Sequence, residues 1–267
     1  MPDVYANFSE FDSAMQVRLA EILELRGADP QQQALRRDFL ADITFPPQAR
    51  VLEVGCGTGV LTRTLARWPD IDAVVGVDPL PALLHKAREL AADLPSVSFR
   101  EADGRSLPLE DESFDVVVFD SVLSHMPGPE AGLAEACRVL RPGGRLAVFD
   151  GDYATTTVAL GDHDPLQACV EAMMANSVHD RWLMRRLPAL VRAAGCEVFC
   201  FRSHGFVETA GGYMLTTVER GADFLRDFGQ IGEETAAALK AEALRRVAAG
   251  AFFGHIAYAS LVAQKPA

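Results

Sequence analysis

Between Arg50 and Asp150, short runs rich in β-branched residues alternate with stretches whose apolar residues recur at helical spacing. The runs are RVLEVG (50–55), AVVGVD (73–78), VSFRE (97–101), FDVVVFD (114–120) and RLAVFD (145–150). VLTRTLARW, PALLHKARELAADL and PEAGLAEACRVL fill the gaps, the last two opening on Pro81 and Pro129, where a first helical turn tolerates a missing N–H. Strands and helices in strict alternation predict an open α/β parallel sheet wrapped by helices. Ligands of such a sheet bind beyond the carboxyl ends of its strands.

The flanks break this rhythm. SAMQVRLAEILEL and QQQALRRDFLADI predict two helices before the first strand, giving an N-terminal helical segment (1–49) ahead of the core (50–267). After Asp150, LMRRLPALVRAAG reads as a helix, EVFCFRS as a strand and AFFGHIAYASLVAQ as a long final strand. A hairpin needs only a few connecting residues, yet 207–249 separates these two strands and carries two helical segments. The expectation is a helical cap inserted over the ligand site; a packed helical decoration of the sheet edge is the alternative.

With 267 residues, 49% of them hydrophobic, the chain can bury the core of one large domain. Its formal charge of −12 would repel a phosphate backbone, so nucleic acid is not the expected partner. The start, MPDVYANFSEFDSAMQ, has acids where a signal peptide needs basic residues, and no run approaches the roughly 20 apolar residues of a membrane helix. Five scattered cysteines suit reduced, structurally inert thiols and a cytoplasmic location. Cys196 and Cys200 are expected on one face of a strand, about 13 Å apart and unable to bridge.

Gly55, Gly57 and Gly59 follow the first strand and open a helix, so backbone can approach a ligand closely and helix N–H groups point toward it. The pattern is G-x-G-x-G, with Val60 where the dinucleotide fingerprint G-x-G-x-x-G places its last glycine. Spacing therefore opposes a nicotinamide cofactor. Glu53 puts a carboxylate at the strand end, which suits an ammonium and not a pyrophosphate. Asp78 ends the second strand, where a carboxylate can accept both hydroxyls of a ribose. Asp103, just past the third strand, is placed to meet an adenine amino group.

In order and spacing, VLEVGCGTG, VVGVDPLPALLHKAREL, READGRSLPLEDESFDVVVFDSVLSHM and EACRVLRPGGRLAVFD resemble the class I S-adenosylmethionine-dependent methyltransferases, especially the small-molecule branch related to quinone-biosynthesis enzymes. The resemblance implies a Rossmann-like seven-stranded sheet whose last strand is antiparallel and inserts beside the fifth. It implies that Glu53, Gly55 and Gly57 line the methionine end of S-adenosylmethionine, that Asp78 holds the ribose, and that Asp103 and Gly104 border the adenine. The implied cofactor contacts also take in Cys56, Thr58, Gly59, Pro79, Leu80, Ala102, Asp120 and Ser121. Outside this core the N-terminal helices and the insertion are where such enzymes build the acceptor pocket, which makes Tyr5, Phe8 and Phe11 candidates to close over it.

Methyl transfer from a sulfonium requires alignment and exclusion of water, and a base only where the acceptor arrives protonated. In FDSVLSHM, at the end of the fourth strand, His125 is the candidate base, because its ordinary pKa suits proton acceptance near neutrality. Asp152 and Tyr153, past the fifth strand, are candidate acceptor contacts near the same rim. His204 and His255 read as satisfied, partly buried histidines. No cluster has metal-ligand spacing. The amide-methylase pattern N/D-P-P-Y/F is absent, DSVL standing in its place. The expected protein is a cytoplasmic methyltransferase, monomer or homodimer, that acts at oxygen or nitrogen of a small molecule and leaves S-adenosylhomocysteine. Carbon methylation of a quinone-like ring, nicotinamide-dependent oxidoreduction and non-catalytic cofactor binding are the alternatives.

Overall fold

The computed structural model describes residues 13–267, so Tyr5, Phe8 and Phe11 lie outside the described residues. Helices α1 (Ser13–Ala28) and α2 (Pro30–Ala41) precede β1 (Ala49–Val54). The core continues through α3 (Val60–Leu65), β2 (Ile71–Asp78), α4 (Pro81–Leu90), β3 (Val97–Glu101), β4 (Phe114–Asp120), α5 (Pro129–Val139) and β5 (Leu140–Thr157). It closes with α6 (Pro165–Ser177), α7 (Leu183–Ala193), β6 (Glu197–Glu208), α8 (Tyr213–Asp227), α9 (Glu233–Ala248) and β7 (Gly254–Gln264).

The seven strands form one sheet in the order β3-β2-β1-β4-β5-β7-β6. β1 pairs in parallel with both β2 and β4, so the chain switches direction between β1 and β4 and leaves a crevice at their carboxyl ends. β7 runs antiparallel between β5 and β6, as the resemblance implied. Helices cover both faces. Phe39 and Leu40 of α2, Leu61 and Leu65 of α3, and the apolar sides of α6 and α8 bury one face with Val51, Val116 and Phe149. Leu133 and Ala136 of α5 and Leu183 and Leu187 of α7 bury the other with Leu52, Val117 and Val148. Among the described residues no helix is long and apolar enough to cross a membrane.

Three expectations need correction. β5 extends from Leu140 to Thr157, well beyond 145–150, because β7 continues to pair with it as far as Thr157 opposite His255. α6 had no counterpart in the sequence reading, although Asp164 caps it by accepting from Leu166 N and Pro165 occupies its first turn. Cys196 and Cys200 do not share a face: Cys196 is buried with α5 and α7, whereas Cys200 packs against the α2 side. A register shift between Val198 and Cys200 turns the strand over, as one extra residue must in a structure of period two.

The insertion is helical, as expected, but firmly seated. Gly221 of α8 lies so close to α6 that a Cβ there would fall 1.8 Å from the carbonyl oxygen of Cys169. Arg246 of α9 is ion-paired to the capping Asp164 at 2.6 Å.

Candidate active site

A cavity of about 360 Å³ opens at the carboxyl ends of the central strands. Its floor is the glycine loop. Gly55 has φ +74°, and a Cβ there would sit 2.5 Å from a Val122 methyl, so no other residue fits without displacing the β4 end. The N–H groups of Gly55 and Cys56 donate to Val77 O at 2.8 and 2.9 Å, which fastens the loop to β2. The Asp78 carboxylate then clamps two loops at once, with Oδ2 accepting from Gly57 N at 2.8 Å and Oδ1 from Leu80 N at 3.0 Å. Burial pushes its pKa up to about 6.

Beside the loop, acids and arginines interlock. Burial pushes the Glu53 carboxyl up to about 8, with Asp120 and Asp78 reinforcing the shift and the hydrogen bond from the Thr62 hydroxyl opposing it. Asp120 accepts from Arg36 Nε at 2.6 Å. Burial alone would raise the Asp120 carboxyl, but the charges of Arg36 and Arg26 outweigh it and hold it below its ordinary value. Ser121, in the left-handed region at φ 59°, donates to Asp120 Oδ1 at 3.0 Å and accepts from Arg26 Nη2 at 2.5 Å. The Arg26 guanidinium lies over the rings of Tyr213 and Tyr258, 5.6 and 5.4 Å from their centroids. Arg36 Nη1, Arg26 Nε and Thr58 Oγ1 are buried without a hydrogen-bond partner among the described residues, an arrangement that leaves donors ready for a ligand's anionic and polar groups.

At the far wall a short turn, Leu123–His125, carries the candidate base. His125 Nδ1 lies 2.9 Å from Ser177 O and Nε2 lies 3.3 Å from Tyr153 Oη. A carbonyl can only accept, so Nδ1 carries the proton and Nε2 keeps its lone pair. Burial, seconded by the charge of Arg26, lowers the His125 pKa to about 4, so the ring is a neutral acceptor at physiological pH. Asp152 and Tyr153 do not share a rim: successive residues of β5 point to opposite faces. Tyr153 is buried on the α6 side, whereas Asp152 is held by Arg185 of α7 at 2.9 Å, and neither lines the cavity.

At the mouth, Asp103 is half exposed and paired with Arg105 at 2.6 Å, so an adenine amino group would compete for a carboxylate already in use. Gly104 packs its backbone tightly against β1, where a Cβ would fall 2.6 Å from a Val54 methyl.

The cavity is lined by Glu53, Gly55, Cys56, Gly57, Thr58, Asp78, Pro79, Leu80, Asp103, Gly104, Asp120, Ser121 and His125, all expected from the sequence. Gly59 and Ala102 stand behind it, the first as the N-cap of α3 at φ +77°, the second donating its N–H to Asp78 O at 3.2 Å. The sequence reading missed Leu23, Arg26 and Arg36, which line the cavity from α1 and α2, and also Val54, Val60, Leu61, Leu83, Arg105, Val122, Met126 and Pro127. No residue of 207–249 lines the cavity; Tyr213 of the insertion lies against Arg26, which does. Among the described residues no group of three or more His, Cys, Asp or Glu could hold a metal ion.

The family model described as "Methyltransferase domain" matches residues 52–148. Demethylmenaquinone methyltransferase of Tropheryma whipplei is 38% identical over 109 residues, 41% of this chain and 44% of that protein. Trans-aconitate 2-methyltransferase of Methylobacterium nodulans is 33% identical over 179 residues, 62% of this chain and 64% of that protein. The chain spans about half the length of the curated relatives it matches. Among solved structures, phosphoethanolamine N-methyltransferase 2 of Haemonchus contortus in complex with S-adenosyl-L-methionine shares the fold, with TM-score 0.61, 15% identity, and coverage of 100% of this chain and 60% of that one. Residues 52–148 are a methyltransferase domain, set in the Rossmann-like fold of the class I S-adenosylmethionine-dependent methyltransferases.

Proposed function

We propose that the protein transfers a methyl group from S-adenosylmethionine to a small organic acceptor, at oxygen or nitrogen. The observation that carries this reading is a continuous cavity running from Asp78 and the glycine loop to the turn bearing His125. When bound, the cofactor supplies a methyl group activated on a sulfonium. The residues present fit it: Asp78 for the ribose hydroxyls, Gly104 for the base, Arg36 Nη1 for the α-carboxylate, and Glu53 for the ammonium. Their work is alignment, which can supply roughly 7–11 kcal/mol of a barrier in favourable cases. Leu23 and Arg26 roof the cavity and exclude water. His125, which lines the cavity, accepts the acceptor's proton at Nε2, while Ser177 O holds the ring by its Nδ1–H.

Similarity to a demethylmenaquinone methyltransferase supports a second reading, carbon methylation of a quinone-like ring. Incubation with S-adenosylmethionine and parallel panels of hydroxylated, amino and quinol acceptors tests both, with S-adenosylhomocysteine release as readout. Release with hydroxylated or amino acceptors supports the first reading and release with quinols alone the second. Tight cofactor binding without release in any panel points to non-catalytic binding.

A further inference from the structure

We propose that Cys137 and Cys196 form a paired-thiol modification site that closes to an intramolecular disulfide when a low-molecular-weight disulfide such as oxidised glutathione is the oxidant. Cys137 lies near the end of α5 and Cys196 in the turn between α7 and β6, and their Sγ atoms are 2.8 Å apart. A disulfide bond of about 2.05 Å requires the two sulfurs to approach by less than an ångström. The pair is graded in access, Cys137 partly exposed and Cys196 buried, which suits one thiol to attack and the other to resolve. The hydrogen bond from Cys196, with help from the Lys265 charge, lowers the Cys137 thiol below its ordinary value, and the same bond raises Cys196.

The other three cysteines lack this arrangement. Burial raises the Cys56 thiol behind the glycine loop, and raises Cys169 to about 11. Cys200 faces Asp42, with Sγ 3.8 Å from Oδ2.

Both steps are thiol–disulfide exchanges. The Cys137 thiolate attacks one sulfur of oxidised glutathione, whose S–S bond breaks to release one glutathione thiolate. Cys196 gives its proton to solvent and attacks the Cys137 sulfur of the mixed disulfide, releasing the second glutathione. Two protein thiols are oxidised to one disulfide, and one glutathione disulfide is reduced to two thiols. The site lies at the edge where β6 begins, opposite the carboxyl ends of β1, β2 and β4 that hold the cavity. The closed bond joins residues 59 positions apart and spans β5, α6 and α7, so it stiffens the fold without moving cavity groups.

Treatment of the full chain with oxidised glutathione, followed by non-reducing tryptic digestion and mass spectrometry, tests this. The expected result is a peptide pair joined through Cys137 and Cys196, loss of two of the five titratable thiols, reversal by dithiothreitol, and a thermal midpoint several degrees higher. Cys196→Ser should stop at the mixed disulfide on Cys137. As a probe that needs no oxidant, phenylarsine oxide should bridge both sulfurs with release of one water, and should lose at least tenfold in affinity in Cys137→Ser. A reaction that stops at glutathionylated Cys137 in the parent protein, a bridge through another cysteine, or equal arsenical affinity in parent and Cys137→Ser would overturn the proposal. S-adenosylhomocysteine affinity should stay within about twofold on oxidation, and a larger loss would contradict the remote placement of the site.

Discussion

Asp150 holds Ser124 by two bonds: Oδ2 accepts from Ser124 N at 3.0 Å and Oδ1 from Ser124 Oγ at 2.8 Å. A third bond to Oδ1, from Gly151 N at 2.8 Å, fixes the carboxylate itself. The middle of β5 thereby sets the turn that carries His125. Asp150→Ala leaves these donors buried and unpaired, at about 1–3 kcal/mol each. Thermal unfolding of the variant should show a midpoint lowered by several degrees, and kcat should fall more than S-adenosylhomocysteine affinity. A variant with parental stability and kcat would show that the turn is held by other means.

His125→Asn places an amide N–H where Nδ1 now donates to Ser177 O and removes the Nε2 lone pair. We expect kcat to fall by about 10²–10⁴, the range of a general base, with little change in cofactor affinity. Because the ring titrates at about 4, the rate profile of the parent should show no acidic limb near 6.5 arising from this residue. Retention of near-parental kcat by the variant would reduce His125 to pocket lining.

Much of this was legible in the sequence. The strand–glycine–helix periodicity and the acids at strand ends are local signals, and the positions they mark line the cavity. What escaped depends on distant partners. Arg26 and Arg36 look like solvent-facing residues of amphipathic helices until Ser121 and Asp120, some ninety positions later, bury them. The separation of Asp152 from Tyr153 follows from β5 remaining extended past Asp150, which only its pairing with β7 decides. The contact between Cys137 and Cys196 joins two elements that no spacing rule connects.

Glu53, at about 8, links proton release to cofactor binding. A cation placed against it favours the ionised form, so affinity for S-adenosylhomocysteine should weaken as pH falls below about 8, by at most tenfold per unit. The sign for stability is opposite. With a folded pKa above its ordinary 4.5, Glu53 holds more protons folded than unfolded, so its contribution is lost as pH rises toward 8. Both slopes should flatten in Glu53→Gln; slopes equal to the parent's would assign them to other groups.

Asp78→Ala removes the acceptor for Gly57 N and Leu80 N together with the one offered to the ribose. Charge-assisted bonds of this kind contribute roughly 1.5–3 kcal/mol each, so cofactor affinity should drop at least tenfold while the sheet stays folded. Overlapping titrations of variant and parent would remove Asp78 from the cofactor site.

The cavity between the glycine loop and the His125 turn is proposed as an S-adenosylmethionine site. Isothermal titration of the parent protein with S-adenosylhomocysteine, and separately with NADH, tests it most directly. S-adenosylhomocysteine should bind saturably and one-to-one, with affinity at least tenfold lower in Asp78→Ala, and NADH should give no heat. Saturable heat from NADH with none from S-adenosylhomocysteine would contradict it.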